Sequence, residues 1–132
     1  MESILKGKRI LIADDDIRNT FALTCYLEDQ EYEMDIHTVA SGAEAIDFLN
    51  KHNNVEIILM DMMMPEMDGY EAISRIKENH ATSNIPIIAV TAQAMVGDRE
   101  KCLQAGAADY VSKPLDMAVL LDKMASVLNP SE

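Results

Sequence analysis

Asp61 closes an apolar run, Ile57-Ile58-Leu59-Met60, and opens a turn-rich stretch, Met62-Met63-Met64-Pro65-Glu66-Met67-Asp68-Gly69. A carboxylate at the end of a buried strand is costly unless it has a chemical role. Asp14 and Asp15 stand in the same position after Ile10-Leu11-Ile12-Ala13, Thr91 ends Ile87-Ile88-Ala89-Val90, and Lys113-Pro114 follows a fourth apolar stretch. If these strands are parallel, all the ends lie along one edge of a sheet. That edge then gathers three carboxylates, a hydroxyl and an ammonium. Carboxylates held together repel, and one of them takes up a proton unless a cation intervenes. Oxygen ligands with neither His nor Cys nearby favour Mg²⁺ over zinc. Mg²⁺ usually accepts only one or two protein carboxylates and leaves coordination for phosphate oxygens. Asp61, already ionised, is then suited to attack phosphorus and form an aspartyl phosphate without a general base. Such a transfer depends mostly on positioning and charge neutralisation, which Mg²⁺, Lys113 and the Thr91 hydroxyl supply.

The elements that must position these residues follow from the apolar pattern. Strands are predicted at Arg9 to Ala13, Met34 to Ala40, Val55 to Met60, Pro86 to Val90 and Asp109 to Val111; most are too apolar to have a wet face. Helical spacing appears at Ala22, Leu23, Tyr26 and Leu27; after Ser41-Gly42 with Ile46 and Leu49; after Asp68-Gly69 with Ala72, Ile73 and Ile76; from Asp98 to Ala105 before Gly106; and at Met117, Leu120, Leu121, Met124, Val127 and Leu128. Alternating strands and helices predict an α/β three-layer domain with right-handed crossovers. Placing the first and third strands side by side brings Asp14, Asp15 and Asp61 to one switch point, which is the parallel order 2-1-3-4-5.

The chain has 132 residues, enough for one domain with a real core, and 48% are hydrophobic. A net charge of −12 and scattered Lys and Arg argue against a nucleic-acid surface. The N-terminus has no signal-peptide form and no apolar run is long enough for a membrane span. Cys25 and Cys102 lack metal-ligand spacing and read as two buried, reduced thiols, which suits a cytoplasmic setting. Met60, Met62, Met63, Met64 and Met67 read as packing residues, and His37, His52 and His80 as surface or loop residues. Asp16 reads as a cap or surface residue, Glu28 to Glu31 as a solvated helix end, and Asp98, Arg99 and Glu100 as an exposed face. Met1 to Lys6 and Asn129 to Glu132 are expected to be loose.

Four motifs in order, Ala13-Asp14-Asp15-Asp16, Met60-Asp61 through Asp68-Gly69, Val90-Thr91-Ala92 and Tyr110-Val111-Ser112-Lys113-Pro114, resemble the receiver domain of two-component response regulators over roughly Lys8 to Leu128. The resemblance implies a single flavodoxin-like (βα)5 domain over 1–132, with its core at about 8–128. It implies that Asp61 takes a phosphoryl group from a phosphohistidine, and that Asp14, Asp15, Asp61 and the Met63 main-chain carbonyl serve Mg²⁺. It further implies a cis Lys113-Pro114 bond, and a switch in which Thr91 moves toward the phosphoryl group while Tyr110 turns inward. The face of the fourth helix, fifth strand and fifth helix then changes. The expected role is regulatory, with at most self-phosphorylation and slow autodephosphorylation.

A finer resemblance, carried by Asp14 through Leu23 and by Gly97-Asp98-Arg99-Glu100-Lys101-Cys102-Leu103, is to receivers attached to hybrid histidine kinases. It implies a histidine kinase or histidine-containing phosphotransfer domain as donor, with Arg18, Asn19 and Phe21 beside the site. The chain would be a stand-alone or excised receiver, acting on a downstream protein or its own parent chain. Met63 and Gln93 match positions that border the path of hydrolytic water in receivers; an apolar residue and an amide there predict slow loss of the phosphoryl group.

Three other readings are weaker. A flavin-binding electron carrier needs a glycine- and hydroxyl-rich loop where Asp14-Asp15-Asp16 stand. A phosphohydrolase needs an acid/base carboxylate where Met63 stands. A receiver that binds partners without phosphorylation would have no need of the full acidic set with Thr91 and Lys113.

Overall fold

Strand burial alternates across the sheet, and two separate cores result. The computed structural model describes residues 2–92 and 97–128. Its strands are β1 (Arg9–Ala13), β2 (Asp35–Val39), β3 (Ile57–Asp61), β4 (Ile87–Thr91) and β5 (Asp109–Ser112). All pair in parallel, in the order β2-β1-β3-β4-β5. Leu11, Ile58, Met60, Ile87 and Ala89 face one core, which α2 (Gly42–Lys51), α3 (Gly69–Glu78) and α4 (Asp98–Ala105) cover through Leu49, Ile73, Ile76 and Cys102. Ile10, Ile12, Ile57, Leu59, Ile88 and Val90 face the other, covered by α1 (Ile17–Glu28) and α5 (Met117–Leu128) through Leu23, Leu27, Leu120 and Met124. Burial on both faces explains why β3 and β4 read as unbroken apolar runs. β2 is an edge strand and stays mostly exposed.

Helix starts are set by side chains that satisfy unpaired backbone donors. Asp16, Ser41 and Asp68 cap α1, α2 and α3, accepting from the N–H of Arg18, Glu44 and Glu71. Glu44 also reaches back to the Ala40 N–H, at 3.0 Å.

Several expectations need correction. β3 and β4 extend through Asp61 and Thr91 because the ladder continues: Met62 N–H donates to the Val90 carbonyl, and Lys113 N–H to the Thr91 carbonyl. From Glu2 to Lys6 the N-terminal segment is not loose, while Met1 lies outside the described residues. Glu2–Leu5 forms a 3₁₀ turn, Leu5 is fully buried in the α1/α5 core, and Gly7 N–H donates to the Tyr32 carbonyl. Asn129 to Glu132 lie outside the described residues. Cys102 is buried as expected, but Cys25 is exposed, because α1 turns only its Leu23 and Leu27 stripe inward. Met60, Met62 and Met64 pack in the core, whereas Met63 is 68% exposed. His37 lies within β2, on the surface, paired with Asp35 at 3.1 Å. No helix among the described residues is long and apolar enough to cross a membrane.

Candidate functional site

The sheet order converts strand ends into neighbours. Ala13 is in register with Met60, and Met60 with Ala89, so the residues that follow emerge together at the carboxyl edge. β1 is followed by a helix on one face of the sheet and β3 by a helix on the other, which leaves a crevice between them. Carboxylate oxygens of Asp14, Asp15 and Asp61 lie within 4.8 Å of one another in that crevice. The Asp14 and Asp61 side chains are 10% and 4% exposed, and Asp15 is exposed.

Lys113 serves both inner carboxylates. Its Nζ is 3.8 Å from Asp14 Oδ2 and 3.7 Å from Asp61 Oδ2. The other oxygens are held by the backbone: Asp61 Oδ1 accepts from Met63 N–H at 3.0 Å, and Asp14 Oδ1 from Asp16 N–H at 2.8 Å. Each carboxylate plane is therefore fixed locally. Burial pushes the Asp14 carboxyl above its usual range, opposed by the Asp16 N–H; the Asp61 charge raises it further and Lys113 lowers it. Hard oxygen donors with no sulfur or imidazole among them fit Mg²⁺ rather than zinc.

Thr91 ends β4 at the same edge and is 6% exposed. Tyr110 is half-buried on β5, and its preceding residue Asp109 accepts from the Tyr110 N–H. The Lys113-Pro114 bond is cis, as expected. Asp16 is a cap, also paired with exposed Arg18 at 3.2 Å. Asn19 lines the crevice wall with Asp14, Asp61 and Lys113, while Phe21 points outward, 70% exposed. Gln93 lies outside the described residues.

The sequence pattern did not reveal Lys123. From α5 it donates to Asp109 Oδ1 at 3.2 Å and to the Tyr110 carbonyl at 2.7 Å, and sits 5.2 Å from the centre of the Tyr110 ring. Its only sequence signal is a cation on the polar side of a mostly apolar helix, which is uninformative until α5 is docked.

A family model for the response regulator receiver domain matches residues 10–125. Hybrid signal transduction histidine kinase H of Dictyostelium discoideum is 38% identical over 121 residues, which cover 91% of this chain and 9% of that protein. The polar-differentiation response regulator DivK of Brucella ovis is 36% identical over 121 residues, covering 92% of this chain and 96% of that one. The chain thus spans a small fraction of the hybrid kinases it resembles and nearly all of DivK. Among solved structures, the receiver domain of a sensor histidine kinase from Pseudomonas aeruginosa is 35% identical, covers 91% of this chain and 95% of that chain, and has a TM-score of 0.79. That structure holds a magnesium ion coordinated in its active site cleft.

Proposed function

The chain belongs to the response regulator receiver domain family, a regulatory module of two-component signalling, and from that premise we propose that Asp61 accepts a phosphoryl group from a phosphohistidine. The observation that carries this reading is the convergence of Asp14, Asp15 and Asp61 within 4.8 Å, with Lys113 nearly equidistant from the two inner carboxylates, at 3.7 and 3.8 Å. An Asp61 oxygen forms the new bond to phosphorus as the phosphorus–nitrogen bond of the donor breaks, and the bonding electrons return to the imidazole. Met63 N–H orients the carboxylate, and Lys113 Nζ offers its charge to the phosphoryl oxygens. The Thr91 hydroxyl, at the adjoining strand end, donates to another oxygen. Asp14, Asp15, Asp61 and the Met63 main-chain carbonyl would hold Mg²⁺, which when bound offsets the negative charge of the phosphoryl oxygens.

The aspartyl phosphate acts by differential contact. Thr91 and Lys113 engage it only when it is present, Tyr110 follows Thr91 inward, and the α4-β5-α5 face changes. Donor docking is supported by exposed apolar side chains: Ile17, which lines a pocket with Asp14 and Asp15, Phe21 one turn further along α1, and Met63 are 80%, 70% and 68% exposed. The donor is a histidine kinase or a histidine-containing phosphotransfer domain, and the readout is a downstream protein or a parent chain. The free thiols suit a reducing, cytoplasmic compartment.

Intact mass after incubation with acetyl phosphate tests the reading. Wild type should gain one phosphoryl group only with Mg²⁺, and Asp61→Asn should gain none. Retention of the gain in Asp61→Asn would place the acceptor elsewhere.

A further inference from the structure

The acidic crevice itself continues as an open pocket of ≈ 200 Å³ between α1 and the loop from β5 to α5. Most of its lining is apolar, including Ile12, Leu23, Leu59, Val90, Leu115 and Met117. The first four are core residues, none more than 5% exposed. Ala13 and Ala22 also line it, and their small side chains leave the space open. Its polar lining comes from Asp14, Asp61, Lys113 and Asn19.

Size, lining and charge select the occupant. An apolar cavity of about 150 Å³ holds one benzene ring, so ≈ 200 Å³ admits a ring and a short arm. Nucleotides and sugars are too large or too polar for these walls. In the polar lining two carboxylates face a single ammonium at 3.7 and 3.8 Å, beyond hydrogen-bonding distance. Without Mg²⁺, a second cation is favoured there over an anion. We propose that this pocket is a binding site for small arylalkyl amines, with the ring among Leu23, Leu59, Leu115 and Met117 and the ammonium on Asp14 and Asp61. An amine bound there draws on the carboxylates proposed to hold Mg²⁺, so amine and Mg²⁺ weaken each other reciprocally. The site itself requires neither Mg²⁺ nor phosphorylation.

The test is an NMR titration of the full chain in Mg²⁺-free buffer with benzylamine, benzyl alcohol and phenylacetate, which share a ring and differ in charge. Benzylamine should shift the Ala22, Leu115 and Met117 methyl signals and bind about tenfold more tightly than benzyl alcohol, the scale of one charge-assisted contact. Phenylacetate should leave them unmoved. Ala22→Leu, at an exposed position where a larger side chain does not threaten the core, should weaken benzylamine about tenfold while the remaining spectrum is unchanged. Asp14→Asn should erase the preference for the amine over the alcohol. Equal binding of phenylacetate and benzylamine, or undiminished binding to Ala22→Leu, would overturn the proposal.

Discussion

Two residues beside Asp61 show how the loop that follows it is constrained. A Cβ on Gly69 would lie 2.7 Å from Met62 Cα and 2.8 Å from the Asp61 carbonyl oxygen. Both contacts are backbone and cannot rotate away. Gly69→Ala should therefore destabilise the domain by about 1–3 kcal/mol, measured by urea denaturation, and should slow acceptance at Asp61 because the loop that orients its carboxylate must shift. An unchanged midpoint would mean the loop yields more freely than its packing implies. Met63 has the opposite character, with its N–H on Asp61 and its side chain in solvent. On the proposed function it shields the phosphoryl group from water. Met63→Asn should shorten the lifetime of the aspartyl phosphate severalfold with little change in stability, and an unaltered dephosphorylation rate would remove that role. Asp61 was identifiable from its strand-end position alone, whereas the exposure of Met63 among buried methionines was not.

At the scale of elements, α3 is tied to the approach to β4 by one lysine. Lys77 Nζ donates to the carbonyls of Ser83 and Ile85 at 3.0 and 2.7 Å, and Gly106 packs over its stem. Lys77→Met should cost about 1 kcal/mol by leaving these acceptors unpaired. Burial holds the Lys77 ammonium below its usual 10.5. The unfolded chain then binds more protons between the folded value and 10.5, so this group's contribution to stability rises with pH through that window. The stability difference between wild type and Lys77→Met should widen as pH increases toward 10.5, while titrations common to both proteins cancel. A constant difference would contradict the burial of the charge. Helices and strands themselves were legible as periodicities, but ties such as Lys77 to Ile85 and Lys123 to Tyr110 link elements whose packing the pattern does not specify.

For the molecule as a whole, the charge of −12 makes self-repulsion a general burden that salt relieves. The three converging carboxylates add a local burden that a divalent cation relieves specifically. NaCl should raise the melting temperature modestly. MgCl₂ at matched ionic strength should raise it further by binding the folded state alone, and the extra increment should vanish in Asp61→Asn. Equal effects of the two salts in wild type would argue against a specific site.

The sequence alone determined the class of fold, the strand order and the residues that meet at the sheet edge. Strand ends in a parallel sheet are adjacent by construction, so motifs spaced along the chain converge whatever the packing details. It also implied the cap at Asp16, whose hydrogen bond is local. Only the tertiary structure decided that Leu5 belongs to the core, that Cys25 and Met63 face solvent, that Lys123 covers Tyr110, and that an apolar pocket adjoins Asp61. Each depends on which faces of distant elements meet and how completely they fill the space between them, and an apolar pattern records that a face is buried without recording against what.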